Sequence, residues 1–594
     1  MFDAVLVANR GEIAVRVIRA CRDLGVRAVA VYSEADRDTP HVRAADEAHL
    51  LGPAAASESY LAIDRILTVA AEAGVDAIHP GYGFLAENAA FARAVADAGL
   101  TFVGPGPDAI ARMGDKLSAR AVALAAGVPV VPGTLEPTDD PEVAIAFGDE
   151  HGYPVAVKAM FGGGGRGMKL VHGPDQMRDA LAAAQREALA SFGRAECYLE
   201  RYLERPRHVE VQVLADRDGT TLHLGDRDCS LQRRHQKLVE EAPAPGLSPA
   251  VRDAMGRAAV EVARQMGYVN AGTCEFLLDS DQETFYFLEM NTRLQVEHPV
   301  TELVTGIDLV QAQLRIAAGD GLGFGQDDVH VRGHAIEARI NAEDPAANFV
   351  PAPGLITDLH APQGPWVRFD TGAESGYEVP RDYDSMIGKL VVWGADRDTA
   401  RAHLRRSLDE LVVLGIPTTV PFHRLAMTHP QFAAVEHATT SVETEWDLTQ
   451  LPAFEGPEPT NGSPMPLPRP GETPTIRDVV LTVGGEPVHV TVHGTEHVGD
   501  RAATTSRRQR QRGAGSRGVV HDGPELLAPM QGTVVTYAAE VGDTVATGDL
   551  VCVIEAMKME NHVLAHRDGT VTELLYVGGE AVEQGATLAI IKDA

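Results

Sequence analysis

The apolar positions near the start of the chain change period twice. Val5, Leu6, Val7 and Ala8 run together, Ile13, Val17, Cys21 and Leu24 recur at helical spacing, and Val26 to Val31 is again β-rich after Gly25. Strand, helix and strand are expected over residues 4 to 31, a βαβ opening. The intervening turn, Asn9-Arg10-Gly11-Glu12, lacks Gly-x-Gly-x-x-Gly, so a dinucleotide site is not indicated. Further on, Ala77-Ile78-His79-Pro80-Gly81-Tyr82-Gly83 and the following Phe84 to Asn88 read as a strand ending in a rigid glycine turn. That turn suits a purely structural corner or the wall of a cleft.

The C-terminal stretch shows a different rhythm, with short alternating runs between glycines, as in Val551 and Val553 or Leu588 and Ile590. It is also a quasi-repeat. Gly532-Thr533-Val534 returns as Gly569-Thr570-Val571, Gly542-Asp543-Thr544-Val545 as Gly579-Glu580-Ala581-Val582, and Gly548 as Gly585. Two similar halves imply a small β-sandwich, and Lys558 in Glu555-Ala556-Met557-Lys558-Met559-Glu560 falls on the connection between them, where symmetry puts a hairpin tip. Ala556-Met557-Lys558-Met559 in this setting resembles the biotin-attachment hairpin of a biotinyl carrier domain. A lipoyl carrier shares that fold but flanks its lysine with Asp and Ala.

A chain of 594 residues that is 44% hydrophobic can bury three or four cores. Its formal charge of −32 opposes a general nucleic-acid or anionic-membrane surface, while leaving room for a local phosphate groove. Five scattered cysteines without a Cys-x-x-Cys pair fit reduced thiols in a cytosol, and no metal-thiolate site is expected. The N-terminus reaches a strand-like run without a signal-peptide pattern, and no long uncharged apolar stretch occurs, so a cytoplasmic protein without a membrane segment is expected. Eight prolines between Pro452 and Pro474 mark an extended connector. Val479 to Val483 and Val488 to Val492 then flank Gly484-Gly485 as a β-hairpin, read as a reduced docking element or a packing hairpin. Residues 495 to 523, with Arg507, Arg508, Arg510, Arg512 and Arg517, read as a solvated linker whose typical reach is on the order of 30 Å.

The chemistry concentrates in the middle of the chain. Val155-Ala156-Val157-Lys158 is a buried-type strand ending in lysine, followed by Gly162-Gly163-Gly164-Gly165-Arg166-Gly167. Bare backbone N–H groups of such a loop can close over a triphosphate, although a glycine run alone is more often a flexible linker and this one lacks the Walker Gly-Lys-Ser/Thr. In Thr273-Cys274-Glu275-Phe276 and Phe287-Leu288-Glu289-Met290-Asn291, period-2 alternation puts Glu289 and Asn291 on one face, where a neighbouring strand could bring Glu275. Hard oxygen ligands of this kind suit Mg²⁺ (or Mn²⁺) bridging ATP phosphates.

Arg293-Leu294-Gln295-Val296-Glu297-His298-Pro299-Val300 and Glu337-Ala338-Arg339-Ile340-Asn341-Ala342-Glu343-Asp344-Pro345 complete a second resemblance. With Met113-Gly114-Asp115-Lys116, the glycine loop, Arg207-His208-Val209-Glu210 and Arg233-Arg234-His235-Gln236-Lys237, they resemble the ATP-grasp biotin carboxylase over roughly residues 1 to 446. Joined to the carrier, the whole looks like the α subunit of a biotin-dependent acyl-CoA carboxylase of the actinobacterial acetyl/propionyl-CoA type. The resemblance implies five segments. An α/β carboxylase N-terminal domain (1–112), an α+β ATP-grasp domain (113–330) and a C-terminal carboxylase subdomain (331–446) come first. Connector, hairpin and linker (447–523) lead to an all-β biotinyl (hammerhead) domain (524–594).

It implies roles as well. Lys116, Lys158, Gly164, Gly165, Glu200, Arg201, Leu203, His208, Gln232 and His235 would bind ATP; Glu275, Glu289 and Asn291 would hold the metal. Arg293, Gln295, Val296 and Lys237 would position bicarbonate, Glu297 would be the general base, Arg339 would meet charge on biotin, and Lys558 would carry biotin. A separate carboxyltransferase β subunit in a hetero-oligomer and a biotin protein ligase are the implied partners, with no nucleic acid. The rival readings are another ATP-grasp carboxylate–amine ligase and a non-catalytic carrier scaffold.

Overall fold

The computed structural model describes residues 1–134, 136–159, 168–192, 195–454, 475–483, 486–494, 523–529, 532–556, 559–582 and 585–592. They fall into two compact units, Met1–Phe454 and Glu455–Ala594. No helix among the described residues is long and apolar enough to cross a membrane.

The expected strand–helix–strand opening is β1 (Ala4–Val7), α1 (Gly11–Asp23) and β2 (Arg27–Ser33). Ile13, Val17 and Cys21 are buried along α1, but Leu24 caps the helix instead of extending its face. With β3 (Glu47–Gly52), β4 (Ala77–His79) and β5 (Thr101–Phe102) these strands form a parallel sheet ordered β3-β2-β1-β4-β5. The order reverses at β1, so the loops leaving β1 and β4 open a crevice at their C-terminal ends. Asn9 ties the two loops together, its Nδ2 donating to Pro80 O at 2.7 Å and Tyr82 O at 2.8 Å. Gly81 has φ +63° and a Cβ there would lie 2.8 Å from Asn9 Nδ2, so the close approach requires glycine.

Beyond this layer, β6 (Val155–Ala159), β7 (Lys169–Val171) and β8 (Cys197–Arg201) form a small antiparallel sheet ordered β7-β6-β8. A large antiparallel sheet follows. It contains β9 (Arg207–Ala215), β10 (Thr221–Arg233), β11 (Gln236–Ala242), β12 (Asn270–Leu278), β13 (Phe285–Asn291) and β14 (His334–Asn341) in the order β13-β12-β9-β10-β11-β14, continued by Met386–Gly394 and Val367–Thr371. In β9, Val209, Val211 and Val213 join the core formed with Met255, Ala259 and Ala263 of the helix Pro249–Met266. That helix starts on a Ser248 cap with proline in its first turn and stops at left-handed Gly267. The alternate residues His208, Glu210 and Gln212 are buried too, and they project to the opposite face of the sheet. A polar row inside a buried sheet is costly unless every charge is paired, which makes this face the place to look for function.

The C-terminal end of this unit also packs on its beginning: a Cβ at Gly372 would come 2.4 Å from the Gly11 carbonyl carbon. Thus the start of α1 lies against the Val367–Thr371 edge of the large sheet, a placement important below.

In the second unit, strands Thr475–Val483 and Glu486–Gly494 pair antiparallel as the expected hairpin, with arms longer than the sequence pattern indicated. The carrier region consists of two four-stranded sheets. Glu525–Leu527, Thr587–Lys592, Gly569–Leu574 and Thr544–Val545 form one; Met559–Leu564, Leu550–Ala556, Gly532–Tyr537 and Ala581–Val582 form the other. Val534 and Val571, equivalent in the repeat, are both fully buried, as are Val551 and Leu588. The simple alternation fails at Ile590, which is half-buried while Ile591 is buried, because this strand is itself bulged at Leu588, which the ladder to Glu525–Leu527 skips. Leu550–Ala556 and Met559–Leu564 pair as far as Ala556 with Met559. Lys558 itself lies outside the described residues.

Candidate active site

Strand register assembles the site. Glu289 of β13 stands opposite Glu275 of β12, Glu275 opposite Glu210 of β9, and Glu210 opposite Arg227 of β10. Directly paired residues share a face, so one polar row crosses four strands. Lys237, at the start of β11, reaches into it and donates to Glu210 Oε2 at 2.7 Å, Glu275 Oε1 at 2.9 Å and Glu297 Oε1 at 2.6 Å. Arg339 of β14 takes the other Glu297 oxygen, Nη2 to Oε2 at 3.0 Å, and its Nε donates to Glu240 of β11. Glu343 and Asp344, sequence neighbours that could have claimed Arg339 as an ordinary ion pair, are not its partners.

The electrostatics follow from burial opposed by pairing. Burial works to raise the Glu297 carboxyl, but Lys237, Arg339 and Arg227 outweigh it and hold the group well below the ordinary glutamate value. Glu275 behaves alike, lowered by Lys237 and His208 against its desolvation. Glu240 goes the other way: burial, with repulsion from Glu297, lifts it to about 7 in spite of Arg339. Arg227 is wholly buried, bonded through Nε to Glu210 and through Nη1 to Gln212 Oε1 at 2.8 Å and Thr301 Oγ1 at 2.9 Å. Cys229 sits beside Glu210 and Glu297, but burial and those carboxylates push its thiol well up, which disfavours it as a metal ligand.

Around this centre the remaining residues take recognisable stations. Arg293 is braced by Glu87 Oε2 (2.8 Å), Gln295 Oε1 (3.0 Å) and Asn291 Oδ1 (3.0 Å), and Gln295 Nε2 donates to Glu275 Oε1 at 3.3 Å. Glu87 belongs to the segment after the glycine turn, which thereby comes up against Arg293. His208 Nε2 lies 3.2 Å from Glu275 Oε2, and Glu275 raises the imidazole's proton affinity against the effect of burial. Glu275 and Glu289 are adjacent hard carboxylates with Asn291 next along β13, a donor set that fits Mg²⁺. The described residues also include a second cluster: Lys158 of β6 is ion-paired with Glu200 of β8, and Arg120 stands 3.5 Å from Glu200 Oε1. Next to it Arg201 bonds Tyr286 Oη at 3.1 Å and Asp279 Oδ2 at 3.2 Å. Leu203 and Gln232 are buried, while His235 is exposed at the turn between β10 and β11. Lys116 opens a helix whose N-cap is Asp115; Gly164 and Gly165 lie outside the described residues.

Four family models match the chain: "Biotin carboxylase, N-terminal domain" at residues 1–110, "Carbamoyl-phosphate synthase L chain, ATP binding domain" at 115–324, "Biotin carboxylase C-terminal domain" at 337–444 and "Biotin-requiring enzyme" at 524–591. The biotin-dependent acyl-coenzyme A carboxylase alpha3 subunit of Mycobacterium leprae is 49% identical over 99% of this chain and 98% of its own length. The chain belongs to the family of biotin-dependent acyl-coenzyme A carboxylase α subunits. Biotin carboxylase 1 of Bacillus subtilis is 51% identical over 75% of this chain and 99% of its own. A crystal structure of the biotin carboxylase domain dimer of Hydrogenobacter thermophilus 2-oxoglutarate carboxylase, in complex with MgADP, ADP and bicarbonate, matches with TM-score 0.69 and 46% identity over 75% of this chain and 97% of that one. As an α subunit of this family, the chain joins a biotin carboxylase, an ATP-dependent ligase of ATP-grasp fold, to its own biotinyl domain.

Proposed function

We propose that the chain uses ATP to activate bicarbonate, carboxylates biotin borne on Lys558, and delivers the carboxyl group to a separate carboxyltransferase β subunit acting on acetyl-CoA or propionyl-CoA. The observation that carries the reading is Glu297, fully buried yet held ionised between Lys237 and Arg339. Bicarbonate is a poor electrophile and the biotin ureido nitrogen a poor nucleophile, so both ends of the transfer need help.

Glu297 accepts the bicarbonate proton, and the freed oxygen attacks the γ-phosphorus with ADP as leaving group. The anhydride formed breaks down to CO₂ and phosphate, and the phosphate takes the ureido proton as that nitrogen attacks CO₂. Bicarbonate drawn to Arg293, Gln295 and the Val296 N–H competes for Lys237; as Lys237 turns to the substrate, Glu297 regains basicity just where the proton must go. Lys116, Lys158, Gly164, Gly165, His208, Gln232, His235 and the Glu200–Leu203 segment bind the nucleotide, with Arg201 in that segment. Glu275 and Glu289, with Asn291, hold Mg²⁺, which supplies charge for the transferring phosphoryl group. Arg339 meets the negative charge that develops on the ureido oxygen.

The domain limits above, the hairpin at 475–494 as docking element, attachment by a biotin protein ligase, a hetero-oligomer and a cytoplasmic setting complete the reading; five cysteines, all free, support the setting. Co-expression with a carboxyltransferase β subunit and a biotin protein ligase, followed by acyl-CoA-dependent ADP release, tests the acceptor. Acetyl- or propionyl-CoA should exceed butyryl-CoA in kcat/KM by about tenfold or more, since each methylene is worth about that in a fitted pocket. A preference for butyryl-CoA contradicts the assignment.

A further inference from the structure

Two successive carbonyls in the turn after β13 are each held by a buried side chain. His298 Nδ1 lies 2.7 Å from Gln295 O, and Lys389 Nζ donates to Val296 O at 2.8 Å. In a trans peptide the carbonyl and the next N–H point in opposite directions. Holding Gln295 O therefore sets the direction of the Val296 N–H, and holding Val296 O sets that of the Glu297 N–H, which lies just ahead of the helix His298–Thr305. Among the described residues neither N–H donates to a backbone carbonyl.

Lys389 is an unusual residue to find there. It lies on the strand Met386–Gly394 opposite Arg339 on one side and Asp370 on the other, and it is completely buried. Glu12 Oε1 of α1 lies 3.0 Å away and the Tyr82 ring centroid 5.7 Å, and the ammonium charge also acts on Glu337, Asp370 and His298. A buried ion pair seldom improves on an apolar pair of the same volume, so stability alone does not account for it. Neutralising Glu12 would not require the Val296 contact either. A charged donor on a carbonyl makes a short, strong bond that fixes the peptide plane.

We propose that Lys389 is a positioning residue of the carboxylase: by holding the Val296 carbonyl it aims the Glu297 N–H at bicarbonate, next to the Val296 N–H that the His298 contact directs. The inference rests on the bicarbonate reading of Val296 given above. Lys389 touches no substrate; it acts through the backbone of the turn.

Bicarbonate-dependent ADP release by the full chain, with KM for bicarbonate and for ATP measured separately, tests it. Lys389→Met should raise the bicarbonate KM by about 10- to 100-fold, the loss expected for one charge-assisted bond, and leave the ATP KM within about twofold. Glu12→Gln keeps the Val296 contact and should leave both constants within about threefold. Glu12→Leu combined with Lys389→Met removes the ion pair together, so the Glu12 carboxylate is not left without its lysine, and should reproduce the bicarbonate effect. The proposal is overturned if the bicarbonate KM stays put in either Lys389 variant, if both constants rise together, or if Glu12→Gln matches Lys389→Met. A wild-type chain without bicarbonate-stimulated ADP release would instead overturn the functional reading on which the proposal rests.

Discussion

Arg339→Ala should lower biotin carboxylation by roughly two to three orders of magnitude, the effect of removing one fixed donor from a developing oxyanion. Nucleotide binding should persist, because Lys158, Glu200 and Arg201 form a separate cluster. The variant should also fold. Arg339 leaves behind Glu240 and Glu297, but Glu240 is already lifted to about 7 by burial and can take a proton, while Glu297 keeps Lys237. Arg339→Lys, which keeps charge but loses the fork that spans two carboxylates, should recover only part of the rate. Unaltered turnover in a folded Arg339→Ala protein would remove Arg339 from the chemistry.

Glu297→Gln should nearly abolish bicarbonate-dependent ATP cleavage, by about 10²- to 10⁴-fold, the usual worth of a positioned general base. Size and burial are kept and only the basic oxygen is lost, so unchanged ATP cleavage would rule out the assignment. The same carboxylate fixes a pH dependence. Its value in the folded protein is depressed, so its ion pairs contribute stability fully above the unfolded value of about 4.3 and lose it as pH falls below. Activity should accordingly hold through neutral pH without an acidic limb from this group near 6, and acid should weaken the fold and the active site together.

Much of this site could be read from residue order. Strand alternation puts Glu289 and Asn291 on one face and leaves Glu275 to a neighbouring strand, and the register sets Glu275 opposite Glu289. The opening βαβ unit was equally legible because its apolar periods are clean. Residue order gives no role to the other half of the charge network: Glu87 and Glu210, which lie inside quoted segments, and Arg227, Glu240 and Lys389. For Glu210 a signal existed, since His208, Glu210 and Gln212 alternate with valines in β9, a polar stripe inside a strand with no exposed face. Arg227 and Lys389 gave none. Each is a cation in a long strand, and its role comes from partners 17 and 93 residues away, Glu210 and the Val296 carbonyl, that only the fold brings within reach. In the carrier the expected alternation slips at Ile590, because a bulge at Leu588 in the same strand shifts the faces and sequence shows no mark of it.

Transfer of carbon from bicarbonate to the carrier tests the central claim most directly. Full-length chain, biotinylated by a biotin protein ligase, is incubated with ATP, Mg²⁺ and isotopically labelled bicarbonate, and the label on residues 524–594 is measured beside a Lys558→Arg variant. The account predicts ATP-dependent label on the wild-type carrier and none on Lys558→Arg; an unlabelled wild-type carrier, or label that survives the substitution, would contradict it.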